Sequence, residues 1–243
     1  RPADRVICVS RAEQALAQSL EAGPPDKFLH VNGVGIDVRR YDIAYDERLR
    51  RRSRLRTELG LAEDDLVLLT VSRLTWDKGY REMISAAREL DRRGHDFVLL
   101  AAGSGKDEAG IRGAIEAAGL TDRLRLLGWR DDVADLYCAA DLFVFASHRE
   151  GLPVSPIEAM ASGLPVLLSD IPGCTEEVED GVSGLLFACG DAAALADQLT
   201  RLLTDAGLRR RLGEEARARA AMFDRERVLD VQVELYRSLA EQS

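Results

Sequence analysis

The sequence predicts an α/β fold built on a doubly wound parallel sheet, and three observations support this prediction. Six short apolar runs from residue 66 onward are rich in Leu, Val and Phe without strict alternation, which is typical of strands covered on both faces. Segments with helical spacing of apolar residues separate these runs. Strand and helix in alternation require right-handed crossovers, and therefore a parallel sheet. The predicted strands are 66–72, 97–102, 123–127, 141–146, 164–169 and 184–187.

Residues 1–37 do not fit this alternation. We expect them to form a β-α unit without a second strand or a core of its own, and to be the end of a preceding domain with its crossover. Residues 38–243 then form the domain that contains the sheet. The elements predicted in the first segment are a strand at 4–10, a helix at 11–21 capped by Ser10, a further candidate strand at 28–31 and a turn at 32–37.

Apolar residues recur at helical spacing between the first two predicted strands and again near the end of the chain. The first of these segments predicts a helix over 79–93, which Gly94 ends. Amphipathic helices are also predicted over 206–222 and 225–243. The last helix carries an apolar stripe, which is more typical of ordinary packing than of a membrane or partner surface. The stripe consists of Val228, Val231, Leu235 and Leu239.

Composition and charge exclude several classes of protein. The chain is 46% hydrophobic and 31% charged, as in ordinary globular proteins, and its net charge of −9 argues against a nucleic-acid surface. We interpret the basic cluster 48–56 as the solvated face of a short helix or linker. No apolar run approaches the roughly 20 residues that span a bilayer. The four cysteines form no C-x-x-C pair and the three histidines lack ligand spacing, so we expect a reduced, cytosolic protein without a metal.

Two carboxylates, Glu150 and Glu158, flank the turn between the fourth predicted strand and the helix that follows it. Backbone N–H groups at a helix start attract phosphates, and carboxylates accept hydrogen bonds from sugar hydroxyls. Gly151 permits close backbone approach in the same loop. Glu158 also has a purely structural interpretation, because Ser155, Pro156 and Glu158 match a capping box. Neither a cap nor a turn requires an acid at position 150.

Two cations, Arg73 and Lys78, follow the first strand of the predicted sheet and precede a helix start at Gly79. Arginine offers a fork of donors and lysine a mobile point charge, which together suit a diphosphate. The alternative is that Arg73 pairs with Asp77 while Lys78 faces solvent. Ligands bind at the carboxyl ends of strands in such sheets, so we expect these cations and Glu150 to meet at one edge.

Gly103 and Gly105 follow the second strand, but they do not complete a dinucleotide-binding fingerprint. The third glycine of G-x-G-x-x-G is replaced by Glu108, and the first strand-to-helix turn carries cations instead. The pattern therefore disfavours a nicotinamide enzyme. The two glycines either let the backbone approach a ligand or simply make a turn.

These motifs, in this order, resemble the family 4 retaining glycosyltransferases over nearly the whole chain. That family has the GT-B fold, in which two Rossmann-like domains face a cleft, and the resemblance makes this chain its carboxy-terminal half. The segment 32–37 is similar to the crossover between the domains, and 177–187 is similar to a further family motif. The crossover and the run 169–178 most resemble enzymes of bacterial polysaccharide assembly.

The resemblance implies a role for each charged residue of the site. Arg73 and Lys78 would hold the diphosphate of the donor, Glu150 the hydroxyls of its sugar, and Glu158 the hydroxyls of its ribose. Arg73, Lys78 and Glu150 are the expected catalytic set. In this family the departing phosphate is thought to help deprotonate the acceptor on the front face, so Glu150 would position the sugar rather than attack it.

The resemblance also implies a second set of residues that contact the donor. Backbone in the loop after the fourth strand would touch phosphate or sugar, and the segment 129–131 would line the base. The family usually needs no metal or other cofactor, because cations and helix dipoles stabilise the leaving diphosphate. The expected contact residues are Gly151, Leu152, Val154, Gly103, Gly105, Trp129 and Arg130.

The expected partner is a nucleoside-diphosphate sugar linked to UDP or GDP, and the family's acceptor-binding domain should precede this sequence. We therefore expect the isolated chain to bind nucleotide weakly and to transfer little or nothing. We expect it in the cytoplasm, with peripheral association of the full enzyme at the inner membrane face left open. Two alternatives remain: a GT-B-like sugar-nucleotide epimerase, which lacks the Glu-x7-Glu pattern, and a non-catalytic module that binds nucleotide sugars.

Overall fold

A computed structural model describes residues 5–31, 33 and 35–241 of the chain, with eight strands and ten α-helices in that part. The strands are β1 (Val6–Cys8), β2 (Phe28–His30), β3 (Val67–Val71), β4 (Val98–Ala102), β5 (Leu124–Gly128), β6 (Leu142–Phe145), β7 (Val166–Asp170) and β8 (Leu185–Ala188). The helices are α1 (Arg11–Ser19), α2 (Tyr45–Glu58), α3 (Tyr80–Arg92), α4 (Glu108–Ala117), α5 (Val133–Ala139), α6 (Val154–Ala161), α7 (Pro172–Thr175), α8 (Ala192–Thr204), α9 (Ala206–Ala220) and α10 (Arg225–Glu241).

The predicted doubly wound parallel sheet is confirmed. Strands β3 to β8 form one six-stranded sheet in the order β5-β4-β3-β6-β7-β8, and every neighbouring pair is parallel. The order reverses between β3 and β6, which pair through Leu68 with Leu142 and Leu69 with Phe143. A crevice opens beyond the carboxyl ends of the two strands at such a reversal. The topology therefore places the loops after β3 and β6 side by side.

Helices cover both faces of this sheet, as the absence of alternation in its strands predicts. Val67 and Leu69 of β3 belong to a core shared with α2, α5, α6 and α9, whereas Leu68 belongs to a core shared with α3, α4 and α8. All three side chains are fully buried. Consecutive residues of a strand point to opposite faces, so a strand buried on both sides must be apolar throughout.

The amino-terminal unit differs from the expectation of a β-α unit without a second strand. β1 and β2 pair in parallel as a separate two-stranded sheet, with Val6 opposite Phe28. The Ser10 cap of α1 is confirmed, since its hydroxyl accepts a hydrogen bond from the Glu13 N–H at 3.1 Å. Glu176 ties the unit to the rest of the chain, because its carboxylate accepts from the N–H groups of Arg11 and Ala12.

The predicted turn 32–37 lies partly outside the described residues, which omit positions 32 and 34. Gly33 and Gly35 both have positive φ, at +67° and +72°. Ile36 then forms an isolated bridge with Asp224, at the start of the last helix. The chain therefore passes directly beside its own carboxy-terminal segment before it reaches the six-stranded sheet.

The two carboxy-terminal helices form close to the predicted bounds, as α9 and α10. The apolar stripe of α10 is unevenly packed, with Leu235 and Leu239 half-buried. Val228 is buried, whereas Val231 is 50% exposed. Within the described part of the chain, every helix is too short or too polar to cross a membrane.

The interpretation of 48–56 as a solvated face is wrong. The segment is helical, within α2, but several of its arginines point inward onto α5 and β6. Arg51 and Arg54 pair with Asp135, and Arg52 and Arg56 pair with Asp141. Arg56 is fully buried. Arginine density in the sequence could not reveal this, because the acidic partners lie more than 80 residues away in the chain.

Helix α8 offers a test of local stabilisation by its cap. Asp191 accepts hydrogen bonds at 2.9 Å from the N–H groups of Ala193 and Ala194. We expect Asp191→Ala to lower the free energy of unfolding by about 1 kcal/mol, measured by urea titration. Asp197 also lies on α8, where it forms an exposed ion pair with Arg93. Asp197→Ala should change the free energy of unfolding by less than about 0.5 kcal/mol. Equal losses in the two variants would contradict the capping role.

Candidate functional site

The candidate site lies beyond the carboxyl ends of β3 and β6, where the loop 72–79 and the loop 146–153 meet; we call this place the β3–β6 crevice. Gly79 brings the loops together. Its φ is +76°, and a side chain there would place Cβ 2.0 Å from the carbonyl oxygen of Ala146. The backbone N–H of His148 also donates to the carbonyl of Asp77 at 2.9 Å. Close backbone contact thus fixes the two loops relative to each other.

Lys78 and Glu150 meet in this crevice, as the topology predicts. Lys78 Nζ lies 2.6 Å from Glu150 Oε1, and Ser147 Oγ lies 3.5 Å from the same nitrogen. The two side chains are only 8% and 17% exposed. The alternative in which Lys78 faces solvent is therefore wrong. Removing two charges from water is costly, so such a pair is weak evidence for a role in stability.

Arg73 belongs to the loop 72–79 that borders the same crevice. Its side chain is exposed, and in the part of the chain that the structure describes it forms no ion pair with Asp77. Asp77 instead lies 3.8 Å from Lys78 Nζ through its Oδ2 atom. The loop 72–79 therefore carries one buried cation that is already paired, Lys78, and one exposed cation that is available to an anion, Arg73.

The capping-box interpretation of Glu158 is wrong. Helix α6 begins at Val154 and its N-cap is Pro153, so Ser155 and Pro156 lie two residues further into the helix than predicted. The earlier start is tolerated because the first four N–H groups of a helix have no intrahelical partner, and Pro156 lacks only one of those. Among the described residues, no side chain caps the start of this helix.

The Glu158 carboxylate is instead held by two tyrosines from other elements. Tyr137, on α5, shares its hydroxyl proton between Oε2 at 2.9 Å and the Ser155 carbonyl oxygen at 3.1 Å, and Tyr41 donates to Oε1 at 2.5 Å. Burial raises the pKa of both hydroxyls, and the negative charge of Glu158 raises them further. Both tyrosines therefore remain protonated donors. No sequence motif marks them, because each looks like an ordinary core aromatic residue.

Gly103 and Gly105 have a packing role in the structure. A Cβ atom at Gly103 would lie 1.9 Å from the carbonyl oxygen of Ser72, and one at Gly105 would lie 2.3 Å from that of Leu74. The loop after β4 thus presses against the loop after β3, and the Leu74 N–H donates to the Ser104 carbonyl at 3.0 Å. The glycines let one loop approach another, while their contact with a ligand stays a prediction.

The loop after β6 lies against the amino-terminal unit. A Cβ atom at Gly151 would lie 2.6 Å from Glu13 Oε1, and a Cβ at Gly33 would lie 2.6 Å from the Leu152 side chain. Val154, in contrast, is 40% exposed. The structure thus gives Gly151 and Leu152 a packing role that their sequence neighbourhood did not predict.

Trp129 and Arg130 follow β5 and differ in their surroundings. Trp129 is 78% exposed, so its ring is accessible to a ligand. The Arg130 guanidinium binds the Asp132 carboxylate through two hydrogen bonds, and Glu58 lies 3.3 Å away. These carboxylates raise the pKa of Arg130. The Arg130 head group is therefore already occupied.

Glu177 begins the motif 177–187 but received no role from the sequence; it is a buried acid close to the site. It is fully buried, and within the described residues neither of its side-chain oxygens has a hydrogen-bond partner. Burial raises its pKa well above the usual range, and the negative charges of Glu150 and Glu176 raise it further. In the sequence it stands in the acidic run 176–180, which gives no sign of burial. Within the same described residues, no three His, Cys, Asp or Glu side chains are grouped to hold a metal ion.

Comparison with known proteins gives consistent matches. Residues 51–219 match the family described as glycosyl transferases group 1. The putative glycosyltransferase EpsD of Bacillus subtilis is 29% identical over 96% of this chain, and D-inositol 3-phosphate glycosyltransferase of Salinispora arenicola is 32% identical over 96%. The crystal structure of Anabaena Alr3699/HepE with UDP-glucose has a TM-score of 0.85 and 26% identity over 98% of this chain. The chain spans 60%, 54% and 64% of these three proteins, respectively.

Proposed function

This chain belongs to the glycosyl transferases group 1 family, and from that premise we propose that it is the donor-binding part of a retaining glycosyltransferase. The reaction would move a sugar from a nucleoside-diphosphate sugar to a hydroxyl acceptor, in bacterial polysaccharide or glycolipid assembly. The observation that carries the proposal is the buried Lys78–Glu150 pair in the β3–β6 crevice, with the exposed Arg73 beside it. Solved relatives support a nucleotide-sugar ligand, because HepE is seen with UDP-glucose.

The crevice offers complementary groups for the two halves of such a donor. Lys78 has three N–H donors and gives one to Glu150 and one to Ser147, so the third can bind a diphosphate oxygen. Arg73 adds a second cation from the solvent side. Glu150 accepts hydrogen bonds from sugar hydroxyls and so fixes the sugar relative to its phosphate. Because negative charge grows on the diphosphate as the glycosidic bond breaks, cations placed at this position stabilise the transition state.

The remaining predicted contacts are assigned as proposals. Glu158 binds the ribose hydroxyls and Trp129 lines the base. Arg130 contributes its backbone rather than its guanidinium, since Asp132 and Glu58 already occupy the head group. Backbone of the loop after β6 contacts phosphate or sugar, and the departing phosphate assists deprotonation of the acceptor on the front face.

We also propose the predicted division into residues 1–37 and 38–243, with the first segment belonging to an acceptor domain. Support comes from the separate β1–β2 sheet and from the fraction of each relative that this chain spans, 60% of EpsD for instance. Acceptor binding would then need a further part of the protein. The Glu-x7-Glu pair and its crevice do not favour the epimerase alternative.

Titration of the 243-residue chain with UDP, GDP and ADP by calorimetry tests the donor site. We expect saturable binding of one nucleotide, and we expect Lys78→Ala to weaken it by about 30-fold, because the variant removes a cation and leaves the Glu150 carboxylate unpaired near the phosphates. Arg73→Ala should weaken it about fivefold, since its charge is screened by solvent.

Arg201→Ala is the control, since it removes an exposed arginine from α8, outside the crevice. It should leave the affinity unchanged. Absence of binding by a folded chain, or equal affinities in the three variants, would contradict the proposed donor site.

A further inference from the structure

The Glu158 carboxylate is bound in an unusual way for a half-buried acid. Its two hydrogen-bonded partners, Tyr41 and Tyr137, are neutral donors. In the described part of the chain, no lysine, arginine or histidine forms an ion pair with it. The tyrosines therefore orient this carboxylate without neutralising its charge.

The core of the protein holds both tyrosines rigidly. Tyr137 is fully buried on α5, and Tyr41 is 6% exposed just after a short 3-10 turn. Their rings meet edge to face with centroids 5.8 Å apart, and the Tyr137 ring also contacts Phe143 of β6 at 6.0 Å. Three separate parts of the chain thus determine where the Glu158 oxygens lie. Loss of one hydroxyl would release the carboxylate without removing the ring that fills the core.

The number of acceptor positions on this carboxylate indicates what it can bind. An ionised carboxylate has about four acceptor positions, and the tyrosines occupy one on each oxygen. One position on each oxygen remains, and because Glu158 is partly exposed these positions are open to a ligand. A pair of neighbouring hydroxyls can fill both positions at once. A ligand with only one hydroxyl there leaves an acceptor unpaired, and a phosphate is repelled by the charge.

We propose that Tyr41 and Tyr137 are positioning residues that hold Glu158 for the two hydroxyls of a ribose, and that they thereby set a preference for ribonucleotides over 2′-deoxyribonucleotides. The inference rests on the proposed function, since it assumes that the nucleotide of the donor occupies the β3–β6 crevice. It explains in addition how the site would distinguish a ribose from a 2′-deoxyribose. The two tyrosines would do so without contacting the nucleotide themselves.

Binding of UDP and 2′-deoxy-UDP to the 243-residue chain, measured by calorimetry, tests the inference; GDP and 2′-deoxy-GDP serve as the second pair. We expect the unaltered chain to prefer the ribonucleotide by about tenfold, the effect of one good hydrogen bond to a charged group. In Tyr41→Phe, affinity for UDP should fall about fivefold while affinity for 2′-deoxy-UDP changes by less than about twofold. The preference then shrinks to about twofold. Tyr137→Phe should act in the same direction.

Tyr45→Phe is the matched control, because Tyr45 is 74% exposed on α2 and has no role in this network. It should keep the tenfold preference, and thermal unfolding of each variant shows that it remains folded. If Tyr41→Phe weakens both nucleotides equally, its role is merely structural and the inference is wrong. Equal affinity of the unaltered chain for the two nucleotides also overturns it while leaving the donor site in place. Failure of every diphosphate to bind instead refutes the proposed function itself.

Discussion

Replacing Arg56 by alanine should destabilise the chain by about 3–5 kcal/mol, which is the range for breaking a buried ion pair by removing one partner. The Arg56 side chain is fully buried and donates to Asp141 Oδ2 at 2.7 Å. It also donates to four backbone carbonyls, at distances of 2.9 to 3.0 Å. These carbonyls belong to Ala139, Ala62, Glu63 and Asp65.

The size of this effect follows from the groups that the substitution leaves behind. Carbonyls at the end of α5 and in the 62–65 turn would lose a donor in a place that water reaches poorly. Arg52 would still bind Asp141 Oδ1, so the carboxylate keeps one cation. Burial lowers the pKa of Arg56, while the charge of Asp141 raises it and favours the protonated form. The guanidinium thus joins α2, α5 and the start of β3 through a single side chain.

Urea unfolding of three variants measures the contribution of Arg56. Arg56→Lys should recover only part of the loss, because an ammonium group lacks the planar fork that reaches several carbonyls at once. Arg50→Ala, on the same helix but exposed and, within the described residues, paired only with Glu47, should change stability by less than about 0.5 kcal/mol. Similar losses for Arg56→Ala and Arg50→Ala would show that burial of the guanidinium is not what stabilises this region.

Replacing Glu177 by glutamine should stabilise the chain, and the gain should grow with pH. Burial raises the Glu177 pKa well above that of the unfolded chain, so the folded state keeps its proton where the unfolded state has lost it. Between these two pKa values the folded state binds more protons, and stability therefore falls as the pH rises, by up to about 1.4 kcal/mol per pH unit. Glutamine is neutral and similar in shape, so the variant lacks this loss.

Urea unfolding at pH 5 and pH 8 checks this expectation. Glu177→Gln should be more stable than the unaltered chain by at most about 1 kcal/mol at pH 5, and this difference should grow by over about 1.4 kcal/mol at pH 8. Glu179→Gln is the control, because Glu179 is exposed two residues away. It should show no such dependence on pH. A Glu177→Gln effect that is the same at both pH values would mean that Glu177 is ionised in the folded chain.

Much of the fold could be predicted from the sequence, because its signals are local. The six strands of the main sheet lie within two residues of the predicted bounds, since a strand buried on both faces must be continuously apolar. The helix predicted at 79–93 is α3, which ends before Gly94 with a φ of +78°. The second strand of the amino-terminal unit was only a candidate, because three residues at 28–30 carry little pattern.

The site was predictable to the extent that topology alone determines it. Lys78 and Glu150 follow strands that become neighbours at the reversal of strand order, and their contact follows from this placement. The start of α6 was not predictable from local pattern, because the run 153–158 is compatible with more than one helix start. Because the helix start was predicted two residues too late, Glu158 was wrongly assigned to a capping box.

The sequence by itself determined the alternation of strands and helices, the parallel sheet and the edge at which the charged loops meet. These features depend on residue spacing and chain connectivity, both of which are visible along the chain. Only the tertiary structure decided which side chains are buried and what they bind. Tyr41 lies 117 residues from Glu158, and Arg56 lies 85 residues from Asp141. A polar side chain looks the same in the sequence whether it is exposed to water or hydrogen-bonded to a distant residue. Which of the two occurs is decided only when the helices and strands pack together.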